Sequence, residues 1–85
     1  MTAYEFAFHV LTLAVEFRFS VTSWGRTRER NARAKGLKNS YHLAFCAVDV
    51  VLDDHEAIGT FSKRAKQLGV EVIAEGDHLH VEPAT

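Results

Sequence analysis

The chain has 85 residues, enough for one domain, 1–85, with a modest core. At 47% hydrophobic and 25% charged it reads as an ordinary soluble globular protein, which excludes a disordered or fibrous one. A net charge of −1 gives no overall pull toward nucleic acid or membrane, and a lone Cys46 excludes an internal disulfide.

From Ala3 to about Val15, Ala3, Phe6, Ala7, Val10, Leu11 and Ala14 fall at helical spacing, predicting an amphipathic helix. This start lacks the basic opening, unbroken apolar run and small-residue cleavage site of a signal peptide. No apolar run approaches a membrane span, so the chain is expected to be cytoplasmic as synthesised, with no membrane partner; a monomer is expected as well. Phe17, Phe19 and Val21 then alternate with Arg18, Ser20 and Thr22, the period of a half-buried strand. From Ser23 to Ser40 the chain is polar and basic, predicting a loop with a short helix near Arg28–Ala34 closed by Gly36.

Leu43 to Leu52 is apolar and rich in small or β-branched residues, as in a buried central strand. Asp53 or Asp54 suits the cap of a following helix, whose apolar stripe is Ile58, Phe61, Ala65 and Leu68 and whose end is Gly69. Val70–Ala74 and His78–Val81 read as two short strands joined at Gly76-Asp77. The order helix, strand, polar segment, strand, helix, hairpin predicts an α+β domain with a small, mostly antiparallel sheet and flanking helices.

Asp49 is the one charge inside Ala47-Val48-Asp49-Val50-Val51, costly to bury unless paired or bound to a metal. An isolated strand Asp more often faces solvent or an ion pair. In His78-Leu79-His80, alternation puts His78, His80 and Glu82 on one face and Leu79 and Val81 on the other. Two imidazoles beside a turn suit Zn²⁺, although His-x-His alone is a weak motif. His42 lies an odd seven residues before Asp49, so both reach one ion only if His42 sits in a turn or bulge ahead of the strand. Two His and one carboxylate make a catalytic zinc set with a position left for water. His9, inside the first helix, and His55, at a helix start, are incidental on this reading. Cys46 reads as a small core residue rather than a nucleophile.

Ser40-Tyr41-His42-Leu43-Ala44-Phe45-Cys46-Ala47-Val48-Asp49 resembles the Ser-x-His-x-x-Gly-x-Ala-x-Asp motif of the zinc D-Ala-D-Ala peptidases. That family includes the L-alanyl-D-glutamate endopeptidases of phage endolysins and shares its fold with the Hedgehog signalling domain. Ser23-Trp24-Gly25-Arg26-Thr27-Arg28-Glu29-Arg30-Asn31 is similar to the family's Ser-Gly-Trp/Tyr-Arg-Ser/Thr-Pro-Glu-x-Asn segment, and Asp77-His78-Leu79-His80 to its closing element. The three blocks span about Thr22 to Glu82.

The resemblance implies a DD-peptidase/Hedgehog-like fold with zinc held by His42, Asp49 and His80. Arg26 would stabilise the oxyanion and contact substrate, and Ser40 would help seat it. Asp77 would be the general base, with His78 competing for part of that role and Glu75 a third candidate, too far from the last ligand by the family's spacing. The substrate would be a peptidoglycan stem peptide, cut at a D-amino-acid-containing bond, with the enzyme reaching the cell wall if another factor releases it. Phe45 replaces the family's glycine, Trp24-Gly25 reverses its Gly-Trp order and Arg28 replaces its Pro. Phe45 is expected on the strand face of Ala47 and Asp49, where it narrows the pocket. Two other readings compete: a catalytically silent zinc-containing binding domain, and a nucleic-acid module using Arg26, Arg28, Arg30, Arg33, Lys35 and Lys38. Trp24 and Tyr41 flank that basic run without an interleaved stacking pattern, so no nucleic-acid partner is expected.

Overall fold

Thr2 starts the first helix, α1 (Ala3–Glu16), through a capping box. The Glu5 N–H donates to Thr2 Oγ1 at 3.1 Å, and the Thr2 N–H donates to Glu5 Oε1 at 3.0 Å. The computed structural model describes residues 1–25 and 46–84. The expected Arg28–Ala34 helix, residues 43–45 of the expected Leu43–Leu52 strand, and Arg26, Ser40, His42 and Phe45 lie outside the described residues, while Cys46 and Ala47 are described and precede the strand, which begins at Val48.

After α1 come β1 (Phe19–Trp24), β2 (Val48–Leu52), a 3₁₀ turn at His55–Ala57, α2 (Ile58–Gln67), β3 (Val70–Glu75) and β4 (His78–Pro83). The strands pair antiparallel in the order β1-β2-β4-β3. Among the described residues the fold is therefore α+β, a four-stranded antiparallel sheet with two helices, as the element order predicts. No helix among those residues is long and apolar enough to cross a membrane.

One sheet face carries the core. Val48, Val50 and Leu52 of β2, Leu79 and Val81 of β4, and Val70 of β3 pack with Phe6, Val10 and Leu13 of α1 and Phe61 and Ala65 of α2. Phe61 receives the rings of Phe17 and Phe19 edge-on, at centroid distances of 5.2 and 5.7 Å. Cys46 is buried in this core, as expected.

Three local expectations shift. The buried face of α1 is Phe6, Val10 and Leu13, whereas Ala3, Leu11 and Ala14 of the expected stripe are exposed. The helix is apolar on two sides, so periodicity alone could not choose between them. Asp54 caps the 3₁₀ turn, accepting from the Glu56 N–H at 3.0 Å, and α2 begins only after that turn. Ile58, first in α2, stays exposed while Phe61 and Ala65 are buried. Gly69 ends α2 at φ +83°, a left-handed conformation that costs glycine little. Gly76 takes φ +64° in the tight β3–β4 turn.

Candidate functional site: a metal-binding cluster on the far face of the sheet

Strand alternation decides what stands on the face turned away from α1 and α2. With Val48, Val50 and Leu52 committed to the core, Asp49 must point to the far face. With Leu79, Val81 and Pro83 buried, His78, His80 and Glu82 must do the same. The register then aligns them. Asp49 of β2 lies opposite His80 of β4, His80 opposite Ile73 of β3, and His78 opposite Glu75. A bulge at Thr22 in β1 adjusts the neighbouring edge, and the Thr22 hydroxyl donates to the Asp49 carbonyl oxygen at 3.2 Å.

Asp49 is 7% exposed, a carboxylate in a dry place. Its Oδ1 lies 3.0 Å from His80 Nδ1, and in neutral His80 that Nδ1–H donates to it. Glu75 Oε1 stands 3.9 Å from the same Nδ1, and the ligand atoms of Asp49, Glu75 and His80 all lie within 4.8 Å of one another. His78 Nε2 stands beside this group, 3.3 Å from Glu75 Oε1 and 3.9 Å from Asp49 Oδ1. Around a tetrahedral ion with bonds of about 2.0 Å, ligand atoms sit about 3.3 Å apart. The observed separations bracket that value. Imidazole nitrogen and carboxylate oxygen are also the right donors for a divalent ion, so Asp49, Glu75 and His80 fit a metal.

The electrostatics favour a cation as well. Two carboxylates converge on this spot, and Glu71 faces Glu82 directly across β3 and β4, a like-charge pair that weakens a sheet. His78 offsets some of this charge. Its pKa is raised, first by the hydrogen bond from Nδ1 to Asp77 Oδ1 at 3.0 Å and then by the charges of Asp49 and Glu75. Asp77 is held below the usual carboxylate range by the same bond. Glu82 Oε2 lies 3.5 Å from His80 Nε2, on the side of the ring turned from Asp49. Were an ion to take the place of the Nδ1 proton, a carboxylate there would steady the ring with its proton on Nε2.

Of the residues singled out in the sequence, Asp49 and His80 meet and His78 stands beside them. Asp77 does not enter the cluster: it is 99% exposed and reaches it only through the His78 ring. Arg26, Ser40 and His42 lie outside the described residues. Glu75, set aside on linear spacing, belongs to the cluster, and the ring contact of Glu82 was not foreseen. Hairpin register carries the signal for Glu75. Once Gly76-Asp77 is the turn, Glu75 must sit opposite His78 on the same face. Comparison with family models, with curated proteins and with solved structures gives no match to this chain.

Proposed function

We propose that this chain is a zinc-dependent peptidase that hydrolyses a D-amino-acid-containing bond of bacterial peptidoglycan, of the D-Ala-D-Ala carboxypeptidase or L-Ala-D-Glu endopeptidase type. The observation that carries the reading is the 3.0 Å approach of Asp49 to His80 across β2 and β4. These residues come from two separate segments that resemble the zinc peptidase motifs, and the resemblance implies that both are ligands of one ion. His42 is the third ligand in this proposal.

Zinc, when bound, supplies a Lewis acid that activates water and polarises the scissile carbonyl. The chain's own residues do the rest. Asp49 and His80, with Glu75 beside them, would hold the ion, and Glu82 would orient the His80 ring. His78 takes the proton from the attacking water at Nε2, with Nδ1–H held by Asp77, and returns it to the leaving amine. Glu75 Oε1, 3.3 Å from Nε2, stabilises His78 while it carries that proton. Arg26 stabilises the oxyanion and Ser40 seats the substrate.

Metal analysis of the purified protein, followed by digestion of defined muropeptides with and without chelator, tests the proposal. The expected result is stoichiometric zinc and cleavage that chelation abolishes and zinc restores. Stoichiometric zinc without cleavage of any muropeptide would leave the silent binding domain, and a folded protein that takes up no zinc would end both readings.

A further inference from the structure

The α1 helix has a second apolar face, and it points to solvent. Tyr4, Phe8, Leu11 and Val15 are 85%, 63%, 61% and 88% exposed. Their spacing of four, three and four residues is the a/d repeat by which helices pair. The small side chains of Ala7 and Ala14 flank the stripe, and between Glu5 and Glu16 the helix carries no Asp, Glu, Lys or Arg. A surface helix ordinarily turns polar groups outward. This one packs into the core with Phe6, Val10 and Leu13 and leaves a comparable apolar row uncovered among the described residues.

We infer that this face docks a second copy of the chain, α1 against α1 in antiparallel orientation about a two-fold axis. Size is the first argument. At roughly 150–250 Å² for an aromatic side chain and somewhat less for an aliphatic one, the exposed fractions amount to about 500 Å² per copy. That is at the upper end of the apolar patch a monomer exposes. A symmetric pair buries about 1,000 Å², the lower bound for a specific interface, so the dimer is weak and concentration-dependent. Shape is the second argument. Antiparallel pairing sets Tyr4 against Val15 and Phe8 against Leu11, one large side chain against one smaller at every step, which keeps the helix axes evenly spaced. Parallel pairing would stack Tyr4 on Tyr4 and Val15 on Val15 and splay the pair. Charge is the third. Antiparallel packing sets the positive end of one helix dipole beside the negative end of the other, and no charged pair in the stripe opposes contact.

Sedimentation equilibrium of the full chain from low to high micromolar concentration tests the inference, beside a Phe8→Glu, Leu11→Glu double variant. Both positions are solvent-facing, so the variant should keep its far-UV circular dichroism. The wild type should shift reversibly from monomer to dimer and the variant should stay monomeric. Orientation is read from a Tyr4→Cys, Val15→Cys variant oxidised at the dimer concentration. Links between residue 4 of one copy and residue 15 of the other support the pairing, while 4–4 and 15–15 links overturn it. A wild type that stays monomeric throughout, or a dimer that survives the double variant, overturns it too. So does a monomeric wild type that binds phosphatidylglycerol vesicles, which would give the face to a lipid surface.

Discussion

The Asp77 carboxylate lies 3.0 Å from Nδ1 of His78, while Nε2 of the same ring faces Glu75 at 3.3 Å. Asp77 therefore acts on the cluster through His78. On this arrangement Asp77→Ala keeps the metal and lowers turnover, because His78 loses the partner that orients its ring and supports its proton. A fall in kcat by a factor of about 10²–10⁴, the usual worth of a general base, is expected for His78→Ala, with a smaller one for Asp77→Ala. Metal content and muropeptide turnover of both variants check this. Full activity in Asp77→Ala would remove the residue from the mechanism.

The same contact makes a pH prediction for the metal-free protein. The folded pKa of His78 is raised above its ordinary 6.5, chiefly by Asp77. Its stabilising contribution is thus full below the unfolded value and is lost as pH rises through the folded one. Asp77 is lowered from 3.8, so its contribution is present above that value and is lost as pH falls through the lower folded one. The pair helps most between those two ordinary values. An NMR titration of the His78 ring should give a midpoint above 6.5 that moves down in Asp77→Ala. An unchanged midpoint would show that the bond does not persist in solution.

Asp49 and His80 are the next test. Asp49→Ala removes a buried carboxylate and leaves His80 Nδ1 without its 3.0 Å partner. Metal binding should be abolished, and the metal-free fold should lose about 1–3 kcal/mol, the usual cost of orphaning a buried polar group. His80→Ala should likewise lose the metal. Isothermal titration with zinc and urea unfolding in chelator separate the two effects. Stoichiometric zinc in Asp49→Ala would refute the site.

Much of this was legible because strands alternate. A charge inside Ala47-Val48-Asp49-Val50-Val51 must leave the core face, and His78-Leu79-His80-Val81 can bury only one of its two sets. Which strands lie side by side was not legible, since the pairing of β2 with β4 depends on the sheet order and not on any local pattern. Glu75, a remote base candidate by distance along the chain, joins the cluster only through its position opposite His78 in the hairpin. The solvent stripe of α1 was missed for a different reason. Phe6, Phe8, Val10, Leu11 and Leu13 satisfy helical spacing in more than one way, and only packing against Val50 and Phe61 selects the buried set.

Phe61 is the hub of that packing, fully buried with Phe17 and Phe19 edge-on to its ring. Phe61→Ala empties the space between α2 and the sheet and should cost about 3–5 kcal/mol. For so small a domain that approaches the whole stability, so the variant should be largely unfolded by circular dichroism. A loss under about 1 kcal/mol in urea unfolding would mean that the core closes around the gap, contrary to close packing.

Glu82 distinguishes a metal centre from an accidental crowd of side chains. If the far face were only a solvated acidic surface, removing one carboxylate would relieve repulsion, most directly with Glu71 opposite it, and would leave ion binding elsewhere unchanged. If His80 binds an ion through Nδ1, its proton moves to Nε2 and Glu82 has a defined task, because its oxygen 3.5 Å from Nε2 can then steady the ring in the binding tautomer. Glu82→Ala should then weaken zinc affinity by about 10–100-fold while thermal stability of the metal-free protein stays level or rises. Glu82→Gln, whose amide oxygen can still accept the proton, should recover part of the affinity. Competition against a chromogenic chelator measures all three proteins on one scale. Equal affinities would mean that His80 is held by Asp49 alone and that the imidazole does not bind through Nδ1.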